Sequence, residues 1–294
     1  MADFDLDQAA GLRRLLTRHQ LRILTFASGT SGAGQTTLAA NLAVELARQG
    51  QEVLLIDENG GRNLSAFFGR RAAGDLLQTL RRQRALEEVL FSPTPGLRIL
   101  PAARAARSMT RLSADERDAF LGGLAALSCP VEVLLIDSSP EHAQGLSPWG
   151  LAAGEAVMVV TGAKGSITDT YALIRKVSQA AARRQFRILV NRVKRAEDGL
   201  LIFNNLKQLA AQKGIARLEY GGAIPVDSAF RELEKLCQPL TEVLPDHPAA
   251  TALRRFADRL YSWPDAGYDS GGVEHFVAHL LHSASLPIPH ALNA

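Results

Sequence analysis

Only two cysteines occur in the 294 residues, Cys129 and Cys237, and they lie far apart. Neither has a partner at metal-ligand spacing, so a disulfide framework and a cysteine-based zinc site are both excluded. So low a thiol content suits a reducing compartment. Long apolar runs are missing too. No stretch approaches the ~18 residues that a membrane span requires. The chain opens Met1-Ala2-Asp3-Phe4-Asp5-Leu6-Asp7, acidic where an export signal would be basic and then apolar. No internal repeat is found, which argues against a solenoid or a propeller. An excess of one charge is also lacking. The net charge is +3, from 33 basic and 30 acidic residues. That small surplus is scattered, so no specific nucleic-acid partner is expected. A cytoplasmic protein is the expectation.

What is present is apolar sequence in short blocks. Hydrophobic residues make up 47% of the chain, enough for a large core that needs no staple. Continuous apolar runs at 22–27, 52–56, 97–100, 131–136, 156–160 and 186–190, with a weaker one at 220–224, read as strands buried on both faces. Helical patterns separate them, at 37–49 with Gly50 as a stop, at 169–184 and at 204–212. Strand-helix alternation predicts an α/β fold with a doubly wound, mostly parallel sheet. The organisation read from the chain is an N-terminal helical segment, 1–20, a central domain, 21–263, and a flexible tail, 264–294. The tail is rich in Gly, Ser and Pro and holds His275, His279, His282 and His290. His275 and His279 share a helical face, but no second motif supports a metal site there.

The chemistry-bearing motif follows the first strand: Ser28-Gly29-Thr30-Ser31-Gly32-Ala33-Gly34-Gln35-Thr36-Thr37, with a helix directly after it. This is the frame of a phosphate-binding loop in its strand-loop-helix context. Glycines let backbone amides wrap phosphate oxygens, and the helix N-terminus adds positive potential. Gly29, Ser31, Gly32, Ala33, Gly34, Gln35, Thr36 and Thr37 are the candidate nucleotide contacts. Thr36 stands where a hydroxyl ligand of magnesium belongs. Gln35 stands where the frame has lysine, so a dipole replaces a full charge.

These residues resemble the MinD/ParA family of ATPases. The family carries a second lysine early in the loop, reaching across a dimer to the partner's nucleotide. The matching position here is Thr30. A pair of acids follows the family's second strand; here the stretch reads Leu55-Ile56-Asp57-Glu58-Asn59. Asp57 keeps the first acid, whereas Asn59 occupies the position that orients the attacking water. Val133-Leu134-Leu135-Ile136-Asp137 keeps the third motif and its magnesium-side aspartate. The resemblance therefore implies ATP or ADP with Mg2+ as cofactor, with Thr36, Asp57 and Asp137 around the metal. It implies Asn191, Pro225 and Asp227 beside adenine. With Thr30, Gln35 and Asn59 at the catalytic positions, hydrolysis is expected to be lost or very weak, and nucleotide binding weak or lost.

Within that family the chain is similar to the flagellar-number regulators, FlhG or FleN. Asp7-Gln8-Ala9-Ala10-Gly11-Leu12-Arg13 matches their D-Q-A-x-G-L-R motif, and Ser166-Ile167-Thr168-Asp169 opens a second similar segment. The resemblance implies an N-terminal helix that stimulates the signal-recognition-type GTPase FlhF. Asp7, Gln8, Leu12 and Arg13 would engage the partner, with Gln8 as the key group. Flagellar switch or regulator proteins and a homodimer are further implied partners. A peripheral membrane contact is implied through a C-terminal amphipathic helix at 253–263, although the same residues also suit a last helix packed on the sheet. The competing expectation is an active ATPase switch that cycles between cytosolic monomer and membrane-bound dimer.

Overall fold

The architecture is that of a computed structural model. It describes residues 21–60, 63–108, 113–126, 131–139, 142–260, 263, 276 and 280. The partner-binding residues Asp7, Gln8, Leu12 and Arg13 lie outside the described residues, as do the four tail histidines.

Eight strands form one sheet: β1 (Arg22–Ala27), β2 (Val53–Asp57), β3 (Phe91–Thr94), β4 (Leu97–Pro101), β5 (Val133–Asp137), β6 (Glu155–Thr161), β7 (Gln185–Val193) and β8 (Arg217–Pro225). Their order is β3-β4-β2-β5-β1-β6-β7-β8. Every pairing is parallel except β3 with β4. The antiparallel edge strand β3 was not legible, because Phe91-Ser92-Pro93-Thr94 is only partly buried and carries a proline, which edge strands tolerate.

Twelve helices follow in chain order among the described residues: α1 (Gln35–Arg48), α2 (Leu64–Phe67), α3 (Leu76–Leu80), α4 (Leu86–Val89), α5 (Ala103–Ser108), α6 (Ala114–Ala125), α7 (Pro148–Ala152), α8 (Ser166–Ala181), α9 (Ala196–Gln212), α10 (Ser228–Lys235), α11 (Leu240–Val243) and α12 (Pro248–Leu260). On one face of the sheet, α1 and α12 pack Leu38, Leu42, Leu253 and Phe256 against Leu24, Phe26 and Leu55. On the other, Phe120 and Trp149 cover Leu54, Ile56, Leu134 and Ile136. Alternation along each strand thus feeds both faces, which is why the strands read as continuous apolar runs.

β2 and β5 carry the same pentapeptide, Val-Leu-Leu-Ile-Asp, and pair in register from Val53↔Val133 to Asp57↔Asp137. Phe26 at the end of β1 is also level with Asp137. Parallel pairing therefore delivers the phosphate loop, Asp57 and Asp137 to one sheet edge. That edge is the carboxyl end, where the strand order reverses around β1 and ligand crevices form.

Of the two readings of 253–263, the packing supports a last helix packed on the sheet. The apolar face of 253–263 is core: Leu253, Phe256 and Ala257 are fully buried and Leu260 is 1% exposed. Two of its arginines are also engaged, with Arg254 bonded to Glu45 and Arg259 Nη2 donating to the Gly221 carbonyl. As folded, this helix has no apolar face left for a membrane. Among the described residues no helix is long and apolar enough to cross one. Within 264–294 the described residues are Phe276 and Leu280. Phe276 and Leu280 from that stretch are buried against the Trp149 cluster, with the Phe276 and Trp149 rings 6.1 Å apart.

Candidate functional site

The phosphate loop is shaped by three glycines. Gly32 and Gly34 have φ of 74° and 92°, a region in which a side chain is strained. At Gly29 the constraint is space. A Cβ there would sit 2.3 Å from the backbone of Asp169 in the first turn of α8. The loop start is thus docked on the N-terminus of α8, and Thr30 Oγ1 donates to Asp169 across 3.4 Å.

Gln35 and Thr36 open α1 and turn inward. Gln35 Nε2 donates to Asp137 Oδ1 at 2.6 Å and to the Ser138 carbonyl at 2.8 Å. Thr36 Oγ1 donates to Asp137 Oδ2 at 2.7 Å. Asn59 Nδ2 reaches the same Oδ2 at 2.8 Å. Every described donor at the catalytic positions except Thr30 thus converges on one carboxylate. Asp57 is engaged as well, accepting from the backbone N–H of Asn59 and of Leu64 at 3.0 and 2.7 Å.

Glu58 was not singled out as a site residue, yet it lies buried in the floor of the cleft. Its carboxylate accepts from Ser138 Oγ at 3.1 Å, from the Ser139 N–H at 3.0 Å and from Ser147 Oγ. The Ser138-Ser139 pair, directly after β5, therefore has a structural role. Burial pushes the Glu58 carboxyl up to about 7, against the pull of those three donors. Burial, then the charge of Asp137, raises Asp57 to about 7. Burial raises Asp137 to about 6, opposed by Thr36, Gln35 and Asn59.

A cleft of about 640 Å³ opens above this floor. Its lining includes the loop residues Thr30, Ser31, Gly32, Ala33, Gly34, Gln35, Thr36 and Thr37, together with Asn59 and Arg107. The three residues named for adenine are Asn191, Asp227 and Pro225. Asn191 is buried and props the loop, its Nδ2 donating to the Ala33 carbonyl at 2.8 Å. Asp227 caps α10 by accepting from the Ala229 N–H and meets His247 at 3.1 Å. Pro225 ends β8 opposite Val193. None of the three is in the cleft lining. Arg192 is, because β7 bulges there: Asn191 pairs with Ile224 and Val193 with Pro225, which leaves Arg192 extra at φ 60°.

The groups present suit a phosphate better than a magnesium ion. A cation needs acceptor lone pairs. Here both oxygens of Asp137 and both of Asp57 already accept hydrogen bonds. The groups beside Asp137 are the amide N–H donors of Gln35 and Asn59, which a carboxylate attracts and a cation repels.

A parallel sheet with a glycine loop between its central strand and a helix N-terminus, above paired strand-end aspartates, defines a P-loop nucleotide-binding fold of the MinD/ParA type. Residues 24–240 match the CobQ/CobB/MinD/ParA nucleotide binding domain, and the chain belongs to that family. It is 28% identical over 271 residues to the antiactivator FleN of Pseudomonas aeruginosa, covering 92% of this chain and 97% of that protein. It is 26% identical to the flagellum site-determining protein YlxH of Helicobacter pylori, covering 88% and 90%. Among solved structures it resembles MinD from Pyrococcus horikoshii complexed with Mg-ADP. The TM-score is 0.58 at 22% identity, over 82% of this chain and 96% of that one.

Proposed function

We propose that this chain regulates flagellar number and placement, using a MinD/ParA scaffold whose hydrolytic site has been converted into a closed hydrogen-bond network. Near full-length similarity to both FleN and YlxH supports the flagellar reading. One observation carries the loss of hydrolysis: the Asp137 carboxylate is held by Gln35, Thr36 and Asn59. Phosphoryl transfer depends on charge and positioning. An amide at 35 supplies no cation, and an amide at 59 accepts no proton from water. The regulatory output then passes through the Asp7–Arg13 motif to an FlhF-like GTPase in the cytoplasm, with Gln8 orienting water beside GTP.

Two measurements test this reading. Purified protein should show no magnesium-dependent ATP turnover above background. The Thr30→Lys, Gln35→Lys, Asn59→Asp triple variant should gain turnover. In cells, loss of the gene should change filament number per cell, and Gln8→Ala should reproduce that change. Turnover like that of an active MinD, or unchanged filament counts, would overturn the proposal.

A further inference from the structure

The cleft has lost its lysines, yet two arginines stand over it. Arg107 comes from α5, on the β2–β4 side. Its Nη2 lies 2.8 Å from where a Cβ on Gly60 would be, so the guanidinium passes directly over the turn after Asn59. Arg192 comes from the β7 bulge on the opposite wall, with Nη2 4.0 Å from the Cβ position of Gly34. Both side chains are exposed, and both line the same cleft as the loop. The bulge matters because a non-glycine residue at φ 60° costs about 1 kcal/mol or more. At Arg192 the bulge that carries this cost turns a guanidinium toward the loop. The acids of the lining do not cancel this charge evenly. Glu58 is buried and held by Ser138, Ser139 and Ser147, while half-buried Glu234 sits on the rim.

We propose that the cleft binds the polyphosphate of a nucleotide without a divalent cation, its charge met by Arg107, Arg192 and the loop amides. The proposal rests on the reading that the phosphate loop is still a ligand site. The floor argues against a metal. Each oxygen of Asp137 and Asp57 already accepts a hydrogen bond, three in all at Asp137, and the Gln35 and Asn59 amides turn N–H groups toward it where a cation would need acceptors. Positive charge must then come from the protein. Guanidinium groups are always charged and meet phosphate oxygens with paired N–H donors. A cleft of about 640 Å³ is larger than a phosphate group alone requires.

Titration calorimetry on the full chain with ATP, in EDTA and in excess magnesium, tests this. Affinity in EDTA should equal or exceed affinity in magnesium. Arg107→Ala and Arg192→Ala should each weaken binding about tenfold, the size of one lost charge-assisted contact. Both residues are exposed, so both variants should retain the wild-type unfolding midpoint. The Gln35→Lys, Asn59→Asp double variant should make binding respond favourably to magnesium. Pyrophosphate should bind more weakly than ATP. Binding seen only with magnesium, affinity unchanged in both arginine variants, or no binding in either buffer would overturn the proposal. Equal affinity for pyrophosphate and ATP would overturn the nucleotide assignment. Each of these failures leaves the flagellar reading standing, because filament counts test that separately.

Discussion

Glu58 directly follows a buried strand, and its carboxyl is 3% exposed among serines. Its pKa rises from 4.5 to about 7, chiefly through burial. A carboxyl raised on folding is held more tightly as the acid in the native state. Its contribution is therefore most favourable below about 4.5, declines between 4.5 and about 7, and stays a penalty above that. Glu58→Gln removes the titration and keeps a side chain able to bond the same serines. At pH 8 the variant should be more stable than wild type by on the order of 2–3 kcal/mol. Near pH 4 the gap should close. Urea midpoints at the two pH values check this, and a gap independent of pH would refute the account. Asp57 and Asp137 are raised for the same reason, so the whole floor favours mild acid.

At the scale of elements, α12 shows how an amphipathic pattern admits two meanings. Leu253, Phe256, Ala257 and Leu260 share a face, as a membrane-binding helix or a packed one would have them. The fold resolves the choice by placing α12 against α1 and β8. Phe256 lies edge-on to Phe26, ring centroids 6.3 Å apart, and edge-on to Trp263 at 5.3 Å. Arg187 then stacks on Trp263 at 3.6 Å. Phe256→Ala should cost about 3–5 kcal/mol of stability, as a cavity in a packed core does. Liposome sedimentation should show no difference between the two proteins. Weaker sedimentation with unchanged stability would restore the membrane reading.

Across the whole molecule, the core draws on residues near the end of the chain. Phe276 is 2% exposed and Leu280 fully buried, both in the cluster around Trp149 and Phe120. Phe276→Ala should destabilise the protein by about 3–5 kcal/mol and lower its thermal midpoint by several degrees. A solvated tail would give no measurable change. Val273, Phe276, Val277, Leu280 and Leu281 do fall at helical spacing, but the run is short and set among Gly, Ser, Pro and His residues, so the sequence alone did not mark it as core.

The sequence by itself determined the fold class, the strand-loop-helix position of the phosphate loop, and the replacement of its charged residues by Thr30, Gln35 and Asn59. Each of those is local information: continuous apolar runs, glycine spacing and residue type. Tertiary structure alone decided what the replacements do. Gln35 and Thr36 lie far in the chain from Asn59, and all three from Asp137; they meet only because β2 and β5 pair in register beneath the loop. Glu58 looked like an ordinary residue after a strand until the sheet brought Ser138 and Ser147 to it. Asn191 and Asp227 matched a base-binding pattern, and only the packing shows that one also props the loop and the other caps a helix. Arg107 carries no motif, and Arg192 was legible only as part of Val190-Asn191-Arg192, a stretch that matches the family's adenine side. A bulge and a short helix bring them to one cleft, and such juxtapositions depend on contacts far apart in sequence, which periodicity and spacing do not encode.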